Sequence, residues 1–185
     1  INSCFTPLKY GRYLRNKTEQ KELGLGWDMV ISCPSLYAST KLSQRWTQKN
    51  YGLMGMSDKA WAEEVPHILT FKDSMGKMQQ FKVLIDPPTF KTADTAQKFS
   101  MHFKNMDSNS KTTLECLDNL ENLEYSVGNL YINGQEINPD NFVVTEADGT
   151  KYYLTLSNGL SKIETLEGKT IEVKDDRIVS SDNEG

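Results

Sequence analysis

A chain of 185 residues and 21.0 kDa has room for one ordinary domain or two small ones, with a substantial buried core. Apolar residues make up 37% and charged residues 25%, which excludes collagen-like and disordered compositions, and no stretch approaches the roughly 18 apolar residues of a membrane helix. Net charge is −4, but it is split: residues 1–105 hold 15 Lys and Arg against 9 Asp and Glu, and residues 106–185 hold 6 against 16.

Early in the chain, Lys9-Tyr10-Gly11-Arg12-Tyr13-Leu14-Arg15-Asn16-Lys17 interleaves cations with aromatic rings. Such a segment can grip phosphates while stacking bases, so Arg12, Tyr13, Arg15 and Lys17 are candidate binding residues, with an ordering arm as the plainer reading. Gly24-Leu25-Gly26 has neither the dinucleotide nor the P-loop spacing and reads as a turn. The run Met29-Val30-Ile31-Ser32-Cys33 reads as a short strand before Pro34. The spacing of Ala38, Leu42 and Trp46 then predicts a helix over 35–48, with Lys41, Arg45 and Lys49 beside the apolar stripe. Ser57-Asp58 can cap a second, shorter helix that ends at Val65-Pro66. Between them lies a segment rich in aromatic and Met side chains around Gly52 and Gly55. Trp46, Tyr51 and Met54 are therefore candidates for an adaptable contact surface, against the alternative that this segment only closes the core.

Further on, 67–72 and 80–85 read as strands joined by a hairpin loop at 73–77. Phe81, Val83 and Ile85 share one face, and Asp86-Pro87-Pro88 ends the second strand. Phe99, Met101 and Phe103 alternate with Ser100, His102 and Lys104 as another half-buried strand. The polar run 105–112 marks a candidate boundary. After it, Leu114, Leu117, Leu120 and Leu123 predict a short amphipathic helix with an acidic flank. Asn133-Gly134, Asp148-Gly149 and Asn158-Gly159, with Glu167-Gly168 as a weaker member, are hairpin signals of type I′ character. Their spacing of 15, 10 and 9 residues describes an antiparallel meander. The expected fold is α+β and mainly antiparallel β, with short N-terminal helices packed on a sheet and a C-terminal β-hairpin meander. Residues 1–105 form a basic part, 106–179 an acidic leucine segment plus meander, and 180–185 a tail. The alternative is a single domain throughout.

Chemistry is sparsely signalled. Cys4, Cys33 and Cys116 are odd in number and lack C-x-x-C spacing, which favours a reducing compartment or a virion over a disulfide framework or a zinc site. His67 and His102 lack a third ligand, so no metal and no cofactor is expected. A hydrolase would need Cys33, at a strand-to-helix turn, to meet one of them. Gly26-Trp27-Asp28-Met29-Val30 resembles the opening of the tubular lipid-binding proteins, and that resemblance implies a sheet wrapped around a long helix and an apolar groove for lipid.

The charge asymmetry points to a non-catalytic structural or interaction subunit of a larger assembly, for example a viral particle or appendage. Positive surface on one copy would meet negative surface on a protein partner or another copy. The alternatives are a nucleic-acid-binding module acting through the basic aromatic segment, a tubular lipid-binding protein, and a Cys/His hydrolase. Lipid is the less favoured ligand, and no membrane span is expected.

Overall fold

The computed structural model describes residues 5–7, 29–31, 33–51, 58–91, 98–174 and 177–181, and every regular element among them is a β-strand. In chain order these are β1 (Phe5–Pro7), β2 (Met29–Ile31), β3 (Ser35–Ala38), β4 (Trp46–Tyr51), β5 (Asp58–Glu63), β6 (Ile68–Lys72), β7 (Met78–Asp86), β8 (Thr89–Lys91) and β9 (Ser100–Asn105). They continue with β10 (Thr113–Cys116), β11 (Glu124–Ser126), β12 (Asn129–Ile132), β13 (Gln135–Glu136), β14 (Asn141–Thr145), β15 (Lys151–Thr155), β16 (Gly159–Glu164), β17 (Thr170–Lys174) and β18 (Arg177–Ser181). All strand pairs are antiparallel. They form a four-stranded sheet β3-β6-β7-β9, a six-stranded sheet β10-β14-β15-β16-β17-β18, and smaller sheets β4-β5-β8, β11-β12-β13 and β1-β2.

The α+β expectation is therefore corrected to all-β among the described residues. Over 35–48 the four-residue spacing of Leu42 and Trp46 is real but belongs to a turn. The Trp46 indole Nε1 donates to the Leu42 carbonyl at 2.8 Å, so both side chains reach the core without helical backbone. At 58–63 strand pairing overrides the helix-favouring alanines, because β5 is bonded to β4 on one side and β8 on the other. The leucine segment divides into β10, an irregular stretch and β11. Leu114, Leu120 and Leu123 are buried, Leu117 is exposed, and Asn122 has a φ of 61° that no helix continues through.

At the meander turns, Asn133 and Gly134 both have positive φ, as a type I′ turn requires. Val127 and Gly128 do the same between β11 and β12, whereas at Asp148-Gly149, Asn158-Gly159 and Glu167-Gly168 only the glycine does. In the β14–β15 loop, Glu146 N–H donates to the Thr150 carbonyl at 2.9 Å and Gly149 N–H to the Glu146 carbonyl at 3.0 Å. That is a type I turn closed by a glycine bulge rather than the I′ turn the dipeptide predicts. The same pair of bonds recurs at Asp73–Lys77 and at Thr165–Lys169.

Alternation along the strands builds one core. Leu69, Phe71, Phe81, Val83 and Ile85 point inward from the four-stranded sheet, and Leu114, Phe142, Val144, Leu154 and Ile163 from the six-stranded one. The two inner faces meet through the Phe71 and Tyr152 rings at 5.4 Å and the Phe103 and Phe142 rings at 5.6 Å. The sheets thus pack face to face, and the buried cluster runs without interruption across position 105. Each fully buried Phe or Leu contributes about 1.5 to 3 kcal/mol. Trp61 fastens β5 to this body, with its ring 4.8 Å from Phe99 and 5.2 Å from Tyr125.

Candidate interaction face

One face of β3-β6-β7-β9 turns into the core, and the opposite face, on which Thr70 is buried but Tyr37, Met78, Gln80, Lys82, Leu84 and Lys104 are exposed, has an unusual make-up. Because Phe81, Val83 and Ile85 turn inward, Gln80, Lys82, Leu84 and Asp86 turn outward. The register then sets the rows across the sheet. Ser35, Lys72 and Met78 form one, Tyr37, Thr70 and Gln80 the next, then Ile68, Lys82 and Lys104, then Leu84 with His102, and last Asp86 with Ser100. Met106, whose N–H bonds to the Gln80 carbonyl at 2.8 Å, extends the second row.

Two properties coincide there. Tyr37 is 49% exposed, Met78 59%, Met106 54% and Leu84 38%, so four of the eight large apolar side chains exposed among the described residues lie on this one face. Lys72, Lys82 and Lys104 share it with Asp86 as the one carboxylate among the described residues. No ion pair among the described residues engages the three lysines. Lys82 and Lys104 stand directly opposite each other across β7 and β9, an arrangement that costs stability through like-charge repulsion.

The outer face of the six-stranded sheet is built differently. Its rows place Glu115, Val143, Tyr153, Lys162 and Glu172 in line, with Thr113, Thr145, Lys151, Glu164 and Thr170 beside them. Lys162 Nζ lies 3.0 Å from Glu164 Oε2 and 5.0 Å from the centre of the Tyr153 ring. The hydrogen bond between them raises the Lys162 pKa and lowers that of Glu164. On this side Lys162 and Glu164 answer one another.

Carboxylates without such partners gather at a cleft of about 490 Å³ where the edges of β9 and β10 come together. Its walls include Met101, Phe103, Leu114 and Leu120, and Glu115, Asp118 and Glu121 line it as well. The two edges are tied at either end, by Met101 N–H to the Leu120 carbonyl at 3.1 Å and by Asn105 Nδ2 to the Thr112 carbonyl at 3.0 Å. Burial pushes the Asp118 carboxyl upward. The N–H groups of Asn141 and Asp140 and the Asn141 amide outweigh it and hold the group below its ordinary range, so it stays ionised.

The candidates read from the sequence fall elsewhere. Arg12, Tyr13, Arg15, Lys17 and Met54 lie outside the described residues, and Tyr51 is described only as the last backbone position of β4. Trp46 is 2% exposed and stacks on His67 inside the core, so it offers no surface to a partner. The outer-face residues could have been found by reading the other half of each alternation, Lys82 and Leu84 in one strand and His102 and Lys104 in the next.

His67 and His102 point to opposite sides of the four-stranded sheet, the first fully buried and the second exposed and 2.9 Å from Ser100 Oγ. Cys33 is exposed. Cys116 shares the β9–β10 cleft with His102, but burial pushes its thiol up to about 12, which keeps it protonated and a poor nucleophile. No group of three His, Cys, Asp or Glu side chains among the described residues could hold a metal ion. Among those residues no helix is long and apolar enough to cross a membrane, and the long helix implied by the lipid-binding resemblance has no counterpart. Comparison of the chain with protein-family models, curated proteins and solved structures finds no match.

Proposed function

We propose that the protein is a non-catalytic interaction subunit of a larger protein assembly, docking through the outer face of the four-stranded sheet onto an anionic protein surface. The observation that carries this reading is Lys82 facing Lys104 on an exposed strand pair, flanked by Leu84, Met78 and Met106. The arrangement is unfavourable in the free subunit and is relieved when carboxylates of a partner come between the lysines while the apolar side chains leave water. The phosphate-gripping alternative rests on Arg12, Tyr13, Arg15 and Lys17, which lie outside the described residues.

Zero-length carbodiimide coupling tests the proposal, because it joins a lysine only to a carboxylate it touches. Applied to the full chain in the cells or particles that produce it, coupling followed by peptide mass spectrometry should give protein-to-protein links from Lys72, Lys82 and Lys104. Links from Lys151 and Lys162, on the opposite sheet, should be fewer. An equal yield from both sheets, or none from the first, overturns the reading.

A further inference from the structure

We infer that the anionic surface is carried by a second copy of this chain, and that the contact joins the Lys82–Lys104 face of one copy to the β9–β10 cleft of the next. This rests on the reading of that face as a docking surface and adds the identity of its partner.

Laid on itself in a two-fold contact, the face would bring Lys72, Lys82 and Lys104 of one copy against the same three residues of the other, with Asp86 the one carboxylate among the described residues on each side to offset them. Like charges brought together this way cost several kcal/mol. The face therefore needs a surface of different composition, and the same chain provides one. Glu115 and Glu121 at the cleft are exposed and engaged in no ion pair among the described residues, and Asp118 beside them is held ionised. Charge thus matches between two surfaces of one molecule that adjoin at His102, whereas on the outer face of the six-stranded sheet Lys162 and Glu164 are partnered with each other. Unlike surfaces either pair reciprocally about a two-fold axis and close a dimer, or leave one of each free so that copies add until a ring closes or a filament grows.

Sedimentation velocity on the purified full chain at low and high salt tests the inference, using two variants blocked on opposite sides. Lys82→Gln with Lys104→Gln disables the face and leaves the cleft intact; Glu115→Gln with Glu121→Gln does the reverse. The wild type should sediment as species larger than the monomer in low salt and dissociate in about 1 M salt, where screening falls to roughly 3 Å. Each double variant alone should associate about 100-fold more weakly. Mixed, they have one compatible surface pair and should form dimers that grow no further. Circular dichroism of each variant alone verifies that it is folded. Two results overturn the inference: a wild type that remains monomeric in low salt, or folded variants that form no mixed dimer. If carbodiimide links from Lys82 lead to a different protein, the inference falls and the docking function stands; if Lys82 gives none, the docking function falls too.

Discussion

The His67 imidazole lies flat on the Trp46 indole, with centroids 4.3 Å apart and planes 5° from parallel, and both rings are shut off from water. His67 Nε2 is 2.7 Å from the Gln44 carbonyl and must therefore carry a hydrogen. That leaves Nδ1 as a buried acceptor with no hydrogen-bond partner, 4.0 Å from Glu63 Oε1. The packing fixes a neutral ring. Burial lowers the His67 pKa, and the Gln44 carbonyl and the Glu63 carboxylate only partly oppose it.

Stability should follow from this with a definite sign. Unfolding returns His67 to its ordinary value near 6.5, so below that pH the unfolded chain binds a proton that the folded one does not. The contribution of the neutral ring is complete above about pH 6.5 and is lost as the pH falls below it, with a slope of at most about 1.4 kcal/mol per pH unit. Urea titrations from pH 5.5 to 7.5, above the ordinary carboxylate range, measure the slope. It should vanish in His67→Gln, and a wild type whose midpoint is flat over the same window would contradict the assignment.

Gly149 closes the β14–β15 turn with φ at 87°, and a Cβ built there would sit 2.8 Å from Leu166 Cδ1 of the neighbouring turn. Gly159 has a similar φ of 79° but open space around it. Gly159→Ala should therefore cost about 1 kcal/mol of backbone strain alone, and Gly149→Ala about 1 kcal/mol more. Adding Leu166→Ala to Gly149→Ala should recover part of that excess, since Leu166 is itself exposed. Thermal unfolding of the three variants separates strain from crowding, and equal losses at the two glycines would show that Leu166 simply moves aside.

The contrast between these turns and the missing helices shows which features were legible in the sequence. An Asn-Gly or Asp-Gly pair acts through its own backbone, so the turn positions could be read locally, although type I′ or bulged geometry depends on the loop the strands enclose. The alternation of Phe81, Val83 and Ile85 was equally local. Leu42 and Trp46 at four-residue spacing were not decisive, because an indole hydrogen bond across a turn meets that spacing as well as a helix does. The interaction face was half legible. Lys82 and Lys104 each stood on the polar side of an alternating strand, but that they face one another is a matter of register between strands joined through β8, which no local pattern contains.

Asp118 ties the stretch after β10 to the start of β14, accepting from Asp140 N–H at 2.7 Å, Asn141 N–H at 3.0 Å and Asn141 Nδ2 at 2.8 Å. Asp118→Ala should cost about 2 kcal/mol, in the range for hydrogen bonds to a charged group. Because the folded-state carboxyl is held below its ordinary value, its contribution is present above about pH 4 and lost as the pH falls through the lowered value. Denaturant midpoints at pH 7 and pH 3 test both statements, since wild type and variant should differ at the first and converge toward the second. A difference that persists unchanged at pH 3 would remove the charge from the account.

The Lys82 and Lys104 pair should show a conflict between stability and association. Both side chains are exposed, they sit directly opposite, and no ion pair among the described residues engages either. Replacing one by the opposite charge converts a repulsive cross-strand pair into an attractive one, so Lys104→Glu should stabilise the isolated subunit by about 0.2 to 1 kcal/mol. The same change should weaken docking, because the face loses a cation and gains an anion. Thermal melting of dilute subunit in high salt would understate the first effect through screening, so it belongs in low salt below the concentration at which copies associate. A variant that melts higher yet associates less would show that the native pair is retained for contact at the expense of the monomer. A variant that melts lower would mean that Lys104 already has a favourable partner in the free subunit, and the case for an unsatisfied face would fail with it.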